Sequence, residues 1–150
     1  MSESDTNSNF IIRDYCENDF ESIINFWDRT GMGSPERGDN KKTIETTINI
    51  GGCLLVMEDK SADLICGTSW MTFDGRRILL HHFGILPEYQ GRGLSKNLMK
   101  ESLQFVKNKG NQVKLEVHST NAKAINLYKK FGFTHLGDYN VFIIRDVSNL

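Results

Sequence analysis

The sequence predicts a mixed α/β (α+β) fold built as one domain. Three observations predict it. Strand-like and helical segments interleave in the order strand, two helices, three strands, helix, strand, helix, two strands. Asp74-Gly75 between two strand-like runs is a strong hairpin signal, so the middle strands pair antiparallel. A long helical connection then separates Arg76–Leu86 from Gln112–His118, which places those two strands parallel and side by side. A length of 150 residues suits one domain, expected over residues 10–150.

Each element has a local reason. Phe10 to Arg13 forms a short first strand, and Asp19 caps a helix carrying Ile23, Ile24, Phe26 and Trp27. Thr30 to Asn40 contains Gly31, Gly33, Pro35 and Gly38 and reads as the longest loop. A second helix covers Lys41 to Ile50 and stops at Gly51-Gly52. Cys53–Met57 and Asp63–Phe73 are strands around a turn at Glu58–Ala62. Arg76–Leu86 follows the hairpin and ends at Pro87. A long helix runs from about Gly91 to Lys109, with Gly110 as its stop. Gln112–His118 is a strand, Asn121–Phe131 a helix stopped at Gly132, and Phe133–Gly137 and Val141–Asp146 are the last strands.

The segment Ile85-Leu86-Pro87-Glu88-Tyr89-Gln90-Gly91-Arg92-Gly93-Leu94-Ser95 carries the most information. An apolar strand end, a glycine-rich turn and a helix start follow one another. That order aims backbone N–H groups and the positive end of a helix dipole at one small volume, which suits a pyrophosphate. At ~100° per residue, Leu94, Leu98, Met99, Leu103, Phe105 and Val106 share one half of the helix, interrupted only by Ser95 and Ser102. Ser95, a small residue in the first turn, lets the helix end approach a strand and a ligand closely.

Composition excludes several function classes. A hydrophobic share of 39% and a charged share of 25% are those of an ordinary globular protein. A formal net charge of -1 favours neither nucleic acid nor an anionic membrane. Cys16, Cys53 and Cys66 are odd in number and widely spaced, which points to reduced thiols and a cytoplasmic location. Met1 to Asn9 is rich in Ser and Asn and reads as a disordered tail, not a secretory signal. No run is long enough to span a bilayer. The histidines and cysteines lack metal-ligand spacing, so no metal is expected. Gly91-Arg92-Gly93 lacks the G-K-[ST] of a Walker loop, and no G-x-S-x-G is present.

On these residues the chain resembles the GNAT superfamily of acetyl-CoA-dependent N-acetyltransferases. The family's Q/R-x-x-G-x-G/A motif is matched by Gln90-Gly91-Arg92-Gly93-Leu94-Ser95, with Ser at the last position, after Ile85-Leu86-Pro87. A second family motif is matched over Leu115–Phe133, where Asn121, Tyr128 and Phe131-Gly132-Phe133 stand in register. The resemblance implies a central mixed, mostly antiparallel, twisted sheet of six to seven strands flanked by about four helices. It implies acetyl-CoA as co-substrate and direct attack of a primary amine on the thioester in a ternary complex.

The resemblance also implies roles. Phe83, Gly84 and Ile85 pair with the pantetheine arm like an added strand. Gly91, Arg92, Gly93, Leu94, Ser95 and Lys96 surround the pyrophosphate, and Asn121 contacts the coenzyme. Tyr128 matches the general acid toward the sulfur, although beside Phe131 it also fits a tyrosine at the core edge. The base stays open. Glu116 stands where ribosomal-protein alanine acetyltransferases carry a glutamate, and an exposed strand carboxylate is its plain alternative. His81 stands on the strand where arylalkylamine acetyltransferases use histidines. Strand alternation puts His81 with Phe83 and Ile85 and turns His82 to the other face. A water chain is the third option. The amine pocket is expected from the Thr30–Asn40 loop with Trp27, Trp70 and Tyr139, and Arg29, Glu36, Arg37 and Asp39 as its charges. Small-molecule and peptide amines both remain open as acceptors. Dimerisation is common in the family, and no feature here fixes it. A non-catalytic acyl-CoA sensor or partner-binding module of the same fold is the rival reading.

Overall fold

The computed structural model describes residues 9–150. The tail expected over Met1 to Asn9 therefore lies, apart from Asn9, outside the described residues. The chain groups into two compact units, one ending at Glu116 and the other spanning Val117–Leu150.

The first unit is built on a five-stranded sheet in the order β1-β2-β3-β4-β5. The strands are β1 (Phe10–Asp14), β2 (Cys53–Asp59), β3 (Leu64–Phe73), β4 (Arg77–Ile85) and β5 (Gln112–Leu115). β1 to β4 pair antiparallel, and β4 pairs parallel with β5, as the hairpin and the helical crossover predict. At the hairpin, Asp74 Oδ1 accepts the N–H groups of Arg76 and Arg77, both at 2.7 Å, and Gly75 takes φ 94°. The short Asp side chain thus folds back on its own turn.

Three helices flank this sheet: α1 (Phe20–Thr30), α2 (Lys41–Asn49) and α3 (Leu94–Lys109). Asn40 caps α2 by accepting the Thr43 N–H at 2.9 Å. α3 ends at Gly110, φ 77°, whose N–H reaches the Val106 carbonyl. Asp19 precedes α1, but its carboxylate turns back to the Cys16 N–H and to Arg13 at 2.7 Å, so it fastens the entry turn to β1.

β3 is covered on both faces. Ser69 faces α3, where its hydroxyl lies 2.7 Å from that of Ser102. Trp70 faces the other way, donates to Thr47 of α2 at 3.0 Å and stacks on Trp27 of α1 with centroids 5.3 Å apart. Ser102, one of the two serines that interrupt the apolar face of α3, is thus fully buried and satisfied, donating to the Leu98 carbonyl at 2.7 Å. Ile23, Phe26, Ile44, Leu98 and Met99 fill the two layers, each at most 2% exposed. Burial of one such side chain stabilises by roughly 1.5–3 kcal/mol.

The second unit holds α4 (Ala122–Lys130), capped by Asn121, whose side chain accepts the Ala124 N–H at 3.2 Å. Gly132, φ 96°, follows its end. Two expectations fail at this end of the chain. The strand after α3 stops at Leu115 and does not continue to His118. The strands expected over Phe133–Gly137 and Val141–Asp146 do not form, so among the described residues the sheet has five strands and not six to seven. Those segments are β-branched and aromatic, but a strand exists only through a ladder partner. The segment after α4 makes no ladder, and its side chains stand open, with Phe142 90% exposed. Among the described residues no helix is long and apolar enough to cross a membrane.

Candidate active site

The glycine-rich turn lies between a short 3-10 helix at Pro87–Tyr89 and the first turn of α3. Gly91 and Gly93 have φ 81° and 78°. A Cβ at either position would meet nothing within 4 Å, so glycine is required for backbone conformation and not for space. Gly93 is the N-cap of α3 and offers no side-chain cap. The first N–H groups of the helix therefore lack a side-chain acceptor from the cap, the arrangement an anion can satisfy. Arg92 and Lys96 are exposed, and the Arg92 guanidinium lies 5.2 Å from the Tyr89 ring centroid. Leu94 is only 1% exposed, so its side chain belongs to the core and only its backbone can serve the turn. Ser95 is half-buried beside it.

β4 leads into this turn. Its ladder with β5 ends at Leu80 opposite Leu115, while β4 itself continues to Ile85. The strand pair separates before the segment Phe83-Gly84-Ile85. On the β3 side, Trp70 pairs with His81 and Thr68 with Gly84. His82 and Phe83 thus stand opposite the single residue Ser69, which is a β-bulge. Gly84 is packed by the Met32 side chain, which a Cβ there would strike. The Ile85 side chain is buried, again leaving only main chain for a ligand.

The bulge overturns the expected facing of the two histidines. His82 takes φ 46°, a left-handed conformation unusual for a residue with a Cβ. Its ring swings to the side of His81, and the two Nδ1 atoms lie 2.6 Å apart. Strict alternation fails here because the extra residue breaks the period of two. The His82 carbonyl accepts from Thr68 Oγ1 at 2.7 Å, and Thr68 in turn accepts from the Trp27 indole N–H at 3.0 Å. That chain of bonds holds a conformation worth roughly 1–3 kcal/mol of strain. Trp70 packs against both rings, with centroids at 4.6 Å from His81 and 5.1 Å from His82.

Asp39, from the loop before α2, completes the group. Its Oδ2 lies 3.2 Å from His82 Nε2, at ion-pair range without the straight alignment of a hydrogen bond. The same oxygen accepts the Ser34 N–H at 3.0 Å. Burial pushes His81 down to about 4, and the neighbouring His82 adds to that while Asp39 opposes it. Burial also lowers His82, against the pull of Asp39. Both rings are therefore neutral near neutral pH, with lone pairs able to accept a proton.

The other expected site residues are placed as follows. Glu116 is exposed and lines a shallow cleft of about 290 Å³ with Asp74, Arg76, Arg77 and Lys114. None of the residues lining that cleft belongs to the histidine group. Trp27 and Trp70, expected in the amine pocket, are 0% and 2% exposed and form the floor beneath the histidines instead. Arg29 pairs with Glu88 at 2.8 Å. In the second unit, Asn121 is the α4 cap, and Tyr139 is 76% exposed. Tyr128 is half-buried, packs edgewise on Phe133 at 5.8 Å, and has its phenol raised by burial. Sequence reasoning missed the joining of Asp39 and Met32 to β4 and the pairing of His82 with His81. The glycines around Met32 were the one available signal, because they permit close approach of that loop. Among the described residues no group of three or more His, Cys, Asp or Glu could hold a metal.

The model of the acetyltransferase (GNAT) family matches residues 20–133. Solved structures share the fold at low identity. AAC(6')-Iy in complex with the bisubstrate analogue CoA-S-monomethyl-acetylneamine superposes with a TM-score of 0.72 at 15% identity, covering 93% of this chain and 99% of that one. The ribosomal-protein-S18-alanine N-acetyltransferase from Escherichia coli gives 0.69 at 19% identity, over 83% and 77%. Arabidopsis thaliana Naa50 with the bisubstrate analogue CoA-Ac-MVNAL gives 0.69 at 18% identity, over 83% and 82%.

Proposed function

The chain belongs to the acetyltransferase (GNAT) family, and from that premise we propose that it moves the acetyl group of acetyl-CoA to the nitrogen of a primary amine by direct attack in a ternary complex. The observation that carries the reading is the head of α3: two left-handed glycines, no side-chain cap, and two exposed cations, directly after a strand that has parted from its neighbour. Main-chain N–H groups from Gly91 to Lys96 would hold the pyrophosphate, and the main chain of Phe83, Gly84 and Ile85 would align the pantetheine arm. Support for the coenzyme comes from the CoA-bearing analogues bound by two structural neighbours, and support for a nitrogen acceptor from the name of the third.

The residues of this chain then have distinct tasks. His81 accepts a proton from the incoming ammonium, because its buried ring is neutral with a lone pair at neutral pH. Tyr128 donates a proton to the departing thiolate; burial raises its phenol and keeps it protonated in the ground state. Glu116 is the rival candidate for the base, exposed in a cleft with Arg76, Arg77 and Lys114 that shares no lining residue with the histidine group.

The test is release of free thiol from acetyl-CoA across a panel of arylalkylamines, polyamines and aminoacyl amides, with binding of CoA followed separately. Amine-dependent thiol release is expected. Tight CoA binding with no thiol release across the panel would favour an acyl-CoA sensor, and no CoA binding would remove the coenzyme site altogether.

A further inference from the structure

The Asp39–His82–His81 group carries an inference about proton flow that rests on the acetyl-transfer reading. We propose that Asp39 and His82 act as positioning residues that lock His81 in its Nδ1–H tautomer, present its Nε2 lone pair to the amine, and take over the proton that His81 receives.

The argument is one of donors and acceptors. An ionised carboxylate carries no proton to donate, so Asp39 Oδ2 at 3.2 Å from His82 Nε2 favours the His82 proton on that nitrogen by electrostatic attraction, without a straight hydrogen bond. A neutral His82 then has its lone pair on Nδ1. That atom lies 2.6 Å from His81 Nδ1, so His81 must supply the hydrogen between them. The neutral His81 ring keeps one lone pair, on Nε2. The choice of tautomer at the base is thus made two contacts away, by a carboxylate on the loop before α2.

The same chain disposes of the proton. An ammonium hydrogen moves to His81 Nε2, and the freed nitrogen lone pair forms the bond to the acetyl carbon as the carbon–sulfur bond breaks, its electron pair leaving on sulfur. The second nitrogen hydrogen of the resulting protonated amide goes to the thiolate by way of the Tyr128 hydroxyl, so that amide, free thiol and one proton on the histidine pair balance the step. The Nδ1 hydrogen of His81 passes to His82 Nδ1. Positive charge comes to rest on His82, next to the Asp39 carboxylate, and not on His81, one ring further from it. Two features of the fold serve this arrangement and have no other evident purpose. The bulge with φ 46° at His82 turns its ring toward His81. Gly33 leaves room for the carboxylate, since a Cβ there would strike both Asp39 Oδ2 and His82 Nε2.

Imidazole nitrogen shifts in ¹⁵N-labelled protein read the tautomers directly and need no substrate. The expected result near neutral pH is Nδ1–H for His81 and Nε2–H for His82. Asp39→Ala should redistribute both, and should lower kcat about tenfold or more for the best amine of the panel with the KM for acetyl-CoA unchanged. Gly33→Ala, which alters no titratable group, should shift the tautomers in the same direction. Nε2–H at His81 in the wild-type protein, or unaltered tautomers in Asp39→Ala, would overturn the proposal. Failure of acetyl transfer itself would appear separately, as absent thiol release in a protein whose tautomers are as expected.

Discussion

Single residues carry chemistry here only where a neighbour settles their state. Ser102 is an example from the core. It lies in the apolar face of α3, fully buried, donates to the Leu98 carbonyl and meets Ser69 across the helix–sheet interface. Ser102→Ala strands the buried Ser69 hydroxyl, whereas Ser69→Ala leaves Ser102 its carbonyl partner. Loss of about 1–3 kcal/mol is expected for the first and less for the second, read from urea unfolding midpoints. Equal losses would mean that Ser69 is as well satisfied without its partner. Tyr128 has a different dependence, since its task in the proposed reaction is proton donation. Tyr128→Phe keeps the ring contact with Phe133 and removes the hydroxyl. Steady-state kinetics should show a kcat reduced about 100-fold or more with acetyl-CoA affinity within twofold of wild type. Unchanged turnover would take Tyr128 out of the mechanism.

At the scale of elements, the turn between β4 and α3 combines conformation with open space. Gly93 needs φ 78°, which a β-branched residue adopts only under strain, yet a Cβ there strikes no other group of the protein. Gly93→Val should therefore keep the fold, with a cost of about 1–3 kcal/mol, while displacing the N–H groups at the head of α3. Calorimetric titration with CoA should show at least a tenfold weaker Kd. Unaltered affinity would put the phosphate seat elsewhere. The bulge in β4 is the second such element. Counting along the strand in steps of two assigns His81 and His82 to opposite faces, and the extra residue opposite Ser69 brings them together. A bulge has no strong residue signature when it contains no glycine, so it was not visible in the chain order.

Over the whole molecule, acid should act in two stages with the same sign. His81 has its pKa lowered on folding, from 6.5 to about 4, so the unfolded chain binds more protons in that interval. Stability from this source is complete above the unfolded value and falls as pH drops from 6.5 toward 4. Asp19 is held down to about 2 by the Arg13 guanidinium, so its contribution is present above 3.8 and is lost as pH falls toward 2. Thermal unfolding followed across this range should show Tm falling through both windows. His81→Phe should flatten the upper one and leave the lower. A Tm that rises on acidification through the upper window would contradict the buried neutral histidines.

The order of elements as far as α4, the antiparallel hairpin, the parallel crossover, the glycine turn and the helix stop at Gly110 were determined by the sequence alone. Each depends on residues within a few positions of one another, through backbone dihedrals, capping bonds or the 3.6-residue period. The tertiary structure decided the rest. A strand needs a partner that local propensity does not supply, so Val141–Asp146 stays unpaired despite its β-branched run. The facing of His82, the approach of Asp39 through the gap at Gly33, and the burial of Trp27 and Trp70 beneath the histidines depend on contacts between distant segments. Those contacts join the loop before α2 to β4, and in the proposed mechanism they set the tautomer of the candidate base, because a carboxylate and a ring nitrogen interact through space and not along the chain.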